Sequence, residues 1–208
     1  MENRTFNLDS KLSNLQIKNY NLGDLNINVF GNTDYDSYAV KIDLLKDKLR
    51  SIKGEGSIIG ANKDPNIDID LIFEDFDISF IEKIGSNTIT SISSNVSGEV
   101  NLWGKSNNIQ HNGKLYLNQS KFKIPYLNIE YFLSEKSEID LYNQNFEFNN
   151  VNINTHSNST STSLKGRITH QDFKNWNLDL DFKSDRLYIL NKEYAENENF
   201  YGKAYLGG

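Results

Sequence analysis

Three histidines, His111, His156 and His170, are the side chains best suited to move a proton or bind a metal near neutral pH. They lie far apart in the chain. None sits in an H-E-x-x-H or H-x-E pattern, and none adjoins a Gly-x-Ser-x-Gly elbow, so no catalytic or metal-ligating role is read from them. His170, beside Asp172, follows the strand-like stretch Leu164–Thr169 and is expected in a turn. The acidic run from Asp68 to Asp77 could suggest a calcium site. However, Asp68 and Asp70 share one parity and would project from the same outer strand face, whereas a calcium ion takes roughly six to eight oxygens converging on one point. A solvated strand face accounts for them better. The stretch Gly54-x-Gly56-x-x-x-Gly60 lacks the Lys-Ser/Thr pair of a phosphate-cradling loop. The N-x-S/T triplets at Asn3, Asn95, Asn118 and Asn158 follow from the abundance of Asn, Ser and Thr. With no cysteine, thiolate chemistry and disulfides are excluded together. The residues therefore predict a chain that is no enzyme and uses no cofactor or metal.

The elements that would position any site are more legible. The chain has 208 residues and a formal charge of −6, which disfavours capture of nucleic acid or of an anionic membrane surface. Leu, Ile, Val and Phe together supply 59 residues and prolines only two, a composition that folds rather than one that stays disordered. No window approaches the roughly 20 apolar residues of a membrane-spanning helix. The opening Met1 to Asn7 lacks the apolar stretch of an export signal, and the chain stops at Tyr205-Leu206-Gly207-Gly208 as another strand opens. It is therefore expected to be an internal fragment. The lack of cysteine fits an oxidising compartment such as a periplasm.

Period-two alternation dominates. Leu25, Ile27 and Val29 share a parity, as do Tyr38, Val40, Ile42 and Leu44, and then Ile67, Ile69, Leu71 and Phe73. Successive side chains of an extended strand point to opposite faces, so each segment has one apolar and one polar face. That pattern belongs to antiparallel sheets with one solvated side. Turns are expected at Phe30-Gly31-Asn32, Asn62 to Asn66, Ser106-Asn107-Asn108, Tyr142 to Asn145 and the Ser/Thr-rich Ser157 to Ser163. One short helix is expected near residues 80–93, where Phe80, Ile81, Ile84, Thr88 and Ile92 could share a face. Glycines 54, 98, 166 and 202 each open a strand without a fixed period, the mark of hairpins stacked along one axis. Alternation alone does not separate the core of a closed sandwich from an open apolar trough.

From about Asn95 onward the sequence resembles the C-terminal region of the TamB family (translocation and assembly module), in its Bacteroidetes-type version. The likeness is carried by Ser97-Gly98-Glu99-Val100-Asn101-Leu102-Trp103-Gly104, Asn112-Gly113-Lys114-Leu115-Tyr116-Leu117-Asn118 and Phe122-Lys123-Ile124-Pro125-Tyr126-Leu127-Asn128. It continues in Leu164-Lys165-Gly166-Arg167-Ile168-Thr169-His170 with Trp176, and in Phe200-Tyr201-Gly202-Lys203-Ala204-Tyr205-Leu206-Gly207. Leu206 stands where a small or hydroxyl residue is usual. The resemblance divides the chain into residues 1–94, the N-terminal part of an elongated sheet, and residues 95–208, a C-terminal-type segment that is truncated.

The resemblance implies an all-β, U-shaped antiparallel sheet with an open hydrophobic groove, in a periplasmic protein anchored to the inner membrane by a helix outside this chain. It implies phospholipid as cargo, an Omp85-family outer-membrane barrel as partner, and nascent outer-membrane proteins as possible clients. On that likeness the groove is lined by Val100, Leu102, Leu115, Leu117, Leu127, Ile129, Tyr131, Ile139, Leu141, Phe146, Phe148, Leu178, Leu180 and Phe182. The expected function is bridge-like lipid transfer. The alternatives are a scaffold for outer-membrane protein assembly, and a sealed β-sandwich binding module.

Overall fold

In the computed structural model, residues 4–32, 36–61, 63–84, 89–155, 158–172 and 174–207 are described. They form an all-β fold, as the alternation predicts. Strands β1 (Thr5–Ile17), β2 (Tyr20–Asn32), β3 (Ser37–Lys46), β4 (Leu49–Ile59), β5 (Asn66–Asp77), β6 (Thr90–Lys105) and β7 (Asn108–Ile124) pair in sequence order, each antiparallel to the last. Next to β7 lie β8 (Ile129–Leu133) and β9 (Ser137–Asn143), end to end along it. Then follow β10 (Asn145–Thr155), β11 (Asn158–Gln171) and β12 (Lys174–Lys183). A separate hairpin of β13 (Leu187–Lys192) and β14 (Gly202–Leu206) completes the chain. The boundary between residues 94 and 95 falls inside β6, and one sheet runs through it. No described helix is long and apolar enough to cross a membrane.

The local differences from the sequence reading share a cause. Phe30-Gly31-Asn32 is strand, because Gly31 pairs with Phe6 on one side and Tyr38 on the other. Within the Ser157 to Ser163 stretch, residues 158–163 extend β11, paired with β10, while Ser157 lies outside the described residues. The expected short helix is present as α1 (Ile81–Ile84), residues 85–88 lie outside the described residues, and Thr90 to Ser94 join β6 opposite β7. In each case a long neighbouring strand supplies hydrogen-bond partners that outweigh local turn or helix preference. The turns at 106–107 and at Gln144 form as expected between paired strands. Asn62 lies outside the described residues.

The register places one face of the large sheet in apolar order from edge to edge. A single row of directly paired residues runs Leu12, Leu25, Leu44, Ile52, Phe73, Gly98, Leu115, Ile139, Phe148, Gly166, Leu180, with no polar side chain in it. The opposite face carries charged pairs such as Arg50–Asp43 (2.7 Å), Lys114–Asp140 (3.5 Å) and Arg167–Asp179 (3.7 Å). Such pairs contribute under about 1 kcal/mol each, yet they oppose register slips that would turn the polar side inward.

Just past that row the ladder is irregular across the sheet. Register shifts follow Leu12 in β1, Leu44 in β3, Phe73 in β5 and Phe148 in β10, and another falls between Asn118 and Lys121 in β7. A one-residue bulge bends its strand and reverses which parity faces the core. In β7 the apolar parity passes from Leu115 and Leu117 to Phe122 and Ile124, across Gln119 at φ 49°. In β10 it passes from Phe146 and Phe148 to Val151 and Ile153. The bulges therefore crease the sheet while keeping the same face apolar on both sides of the crease.

The sheet also curls about that face. β7 and β11 are three ladder steps apart, which is about 14 Å on a flat sheet. Even so, the Nε2 atoms of His111 and His170 lie 2.9 Å apart. Glycine on the inner side makes the curl possible. A Cβ on Gly113 (φ 149°) would lie 2.1 Å from the Glu99 carbonyl oxygen, and one on Gly98 (φ 139°) 2.2 Å from that of Lys114. At Gly54 the nearest atom is instead a flexible Leu71 methyl at 2.8 Å. Gly113→Ala is therefore expected to destabilise the fold by at least about 2 kcal/mol, from left-handed strain and a backbone clash together. Gly54→Ala should cost about 1 kcal/mol, because a side chain can move aside. Urea midpoints of the two variants check the order.

Candidate functional site

Thirteen of the fourteen residues read from the sequence as groove lining fall on the apolar face, Leu127 lies in the turn between β7 and β8 and packs against it, and together they occupy three different settings. Val100, Ile139 and Leu141 are buried in one cluster, with Leu102, Leu115, Leu117, Phe146 and Phe148 packed against them. There side chains of neighbouring strands pack on one another across the apolar face. Ile129 and Tyr131 belong to a second cluster with Val151, Ile153, Leu164 and Tyr188, flanked by Leu127 and Leu180. They are roofed by the β13–β14 hairpin rather than open. Leu178 and Phe182 remain 63 % and 53 % exposed, because β12 is the last strand of the sheet.

Between the second cluster and the hairpin lies an apolar cavity of about 430 Å³. The sheet contributes Phe122, Leu133, Ile153, Leu164 and Leu180 among others, and the hairpin contributes Leu187, Ile189 and Leu206. Its two hydroxyl-bearing residues, Tyr131 and Thr162, both donate away from the space. Tyr131 Oη donates to the Tyr188 carbonyl at 3.0 Å, and Thr162 Oγ1 to Ser184 Oγ at 2.9 Å. Burial raises the Tyr131 phenol pKa, which keeps that donor protonated. The Tyr131 bond pins the hairpin and the Thr162 bond pins the segment leading into it, helped by Asn191 N–H to the Leu127 carbonyl at 3.0 Å and by stacking of Tyr126 on Phe200. A two-stranded hairpin is marginal on its own, so this docking is what holds it.

The sequence missed Phe122, Ile124, Val151 and Ile153 as lining, because each lies beyond a bulge where the apolar parity has switched. Fixed alternation counts them as outward. Gln119 at positive φ gives no composition signal, whereas an abrupt change of apolar parity within one strand-length segment is a signal that can be read.

The histidines also gain meaning only in three dimensions. His170 is in β11, not in a turn, and is buried. Its ring lies 4.8 Å from Trp176 and 5.6 Å from Phe146, while the His111 ring lies tilted 4.9 Å from Phe146. His156 lies outside the described residues. Asp68 and Asp70 are exposed on the outer face, both accepting from Asn101 Nδ2 (2.8 and 2.9 Å), and no group of three or more metal-ligating side chains occurs among the described residues. At the far end of β2, Tyr20 and Lys46 converge on Asp77. Burial would raise the Asp77 pKa, but hydrogen bonds from Tyr20, Ser79 and Lys46 outweigh it and hold the carboxyl well below the usual range.

Burial, and secondarily the neighbouring His170, push His111 down to about 4 from its ordinary 6.5. Burial lowers His170 too, while Asp172 raises it. The unfolded chain therefore binds more protons between these values, so the contribution is complete above pH 6.5 and is lost as pH falls toward 4. The expected slope is about 1.4 kcal/mol per pH unit across that window. His111→Phe should flatten most of it in a pH series of urea melts.

No family model, no curated protein and no solved structure matches this chain.

Proposed function

We propose that this chain holds lipid acyl chains on its concave apolar face, as a segment of a bridge along which lipid passes between two membranes. The supporting observation is the continuous apolar row of the sheet together with the cavity beneath the hairpin, whose only hydroxyls are already bonded elsewhere. Resemblance of residues 95–208 to TamB proteins supplies the setting: a periplasmic location, phospholipid cargo and an Omp85-family barrel at the outer membrane.

The energetics favour passive movement. Removing an acyl chain of about fifteen methylenes from water gains ~12 kcal/mol at ~0.8 kcal/mol each. A bilayer offers a similar gain, so exchange between bilayer and protein is near neutral, and an interruption of the apolar surface is what raises the barrier. No side chain need be catalytic.

A second reading, a scaffold for strands of outer-membrane proteins, draws on β12. This edge strand exposes Trp176, Leu178 and Phe182 beside a row of backbone groups with no further strand to pair with among the described residues. Such an edge can accept another strand.

Lipid mass spectrometry on the purified chain separates the two. Phospholipid is expected to co-purify, and Leu180→Glu at the cavity wall should reduce it about tenfold, with a thermal melt confirming that the variant folds. Equal lipid in both proteins, or none in the parent, defeats the lipid reading. Crosslinks from β12 to a client strand, in the absence of lipid, would favour the scaffold.

A further inference from the structure

We propose that the cavity beneath β13–β14 is a discrete site for one unbranched hydrocarbon chain, which enters tail first and leaves its polar head outside. This rests on the lipid reading above and narrows it, from a continuous surface to a single-chain pocket at one place on that surface.

Three observations carry it. The first is capacity. A methylene needs about as much room as a water molecule, so at ~30 Å³ each the cavity's volume of about 430 Å³ matches roughly fourteen methylenes. That is the length of one such chain. The second is chemistry. A carboxylate or phosphate drawn into the space would lose its water and find no donor there, because Tyr131 and Thr162 have committed their protons to Tyr188 and Ser184. The backbone of β7, β8, β10 and β11 is likewise engaged in the sheet ladders. The head must therefore stay in solvent. The third is position. Around Val100 the apolar side chains pack on one another, whereas here a cavity lies between the sheet and the hairpin. Leu206 and Phe182, more than half exposed, form part of the cavity's outer wall.

Native mass spectrometry of the full chain with decanoic, tetradecanoic and octadecanoic acids, and with tetradecanol, tests this. One adduct per chain is expected at saturation. Affinity should rise at least tenfold from ten to fourteen carbons and gain less than threefold from fourteen to eighteen. Tetradecanol should bind within about threefold of tetradecanoic acid, since the head is outside. Leu206→Glu, at the exposed rim, should weaken binding tenfold or more. Leu8→Glu, on the exposed β1 edge of the same apolar face, should leave it unchanged. Several adducts per chain, no dependence on chain length, or equal losses in the two variants would overturn the single-chain site while leaving lipid binding along the face intact. Failure of every probe to bind would overturn both.

Discussion

A sheet with one apolar face cannot lie flat in water. The row from Leu12 to Leu180 crosses the sheet without one polar side chain. The hydrophobic effect therefore acts on the whole surface at once, at ~25 cal/mol for each Å² removed from water. With too few helices to cover that face, the sheet satisfies the demand by folding on itself. Every other feature of the structure serves or limits that curl. Glycines sit where inner side chains would collide, bulges crease the strands, and the β13–β14 hairpin covers what the curl leaves open.

The curl is uneven, and the unevenness defines the candidate site. Around Val100 the side chains of neighbouring strands pack on one another, and nearby the His111–His170 contact joins strands three ladder steps apart. Past the crease the sheet faces the β13–β14 hairpin. There the hairpin is attached through a few polar bonds, and its apolar side chains meet the sheet across a cavity. A two-stranded cover of this kind contributes less burial per residue than a full sheet, so it is among the elements that open at lowest cost. A pocket closed by such an element can admit a flexible chain without disturbing the large sheet.

Electrostatics play a different part on each side. On the outer face, cross-strand ion pairs are exposed and weak, and their use is to make the wrong register worse. On the inner side two imidazoles meet in an apolar surrounding. The two imidazoles share one hydrogen bond, which requires that one ring donate and the other accept. Charging both rings removes the acceptor and sets two like charges together in an apolar surrounding, so the neutral pair is the form the fold retains.

What the sequence determined by itself follows from short-range rules. Alternation at Leu25, Ile27 and Val29 and at Ile67, Ile69 and Leu71 identifies strands with one wet face, and the strand residues among the proposed lining share the apolar side. The same rule fails beyond each bulge. Which parity faces inward at Phe122 or Val151 depends on an extra residue whose presence shows only in the pairing of neighbouring strands. Tertiary structure alone decided that His111 meets His170, that Asn158 to Ser163 extend a strand, and that Ile129 and Tyr131 lie under a roof while Phe182 does not. These outcomes depend on how tightly the sheet curls, and curvature is a property of many strands acting together that no local window contains.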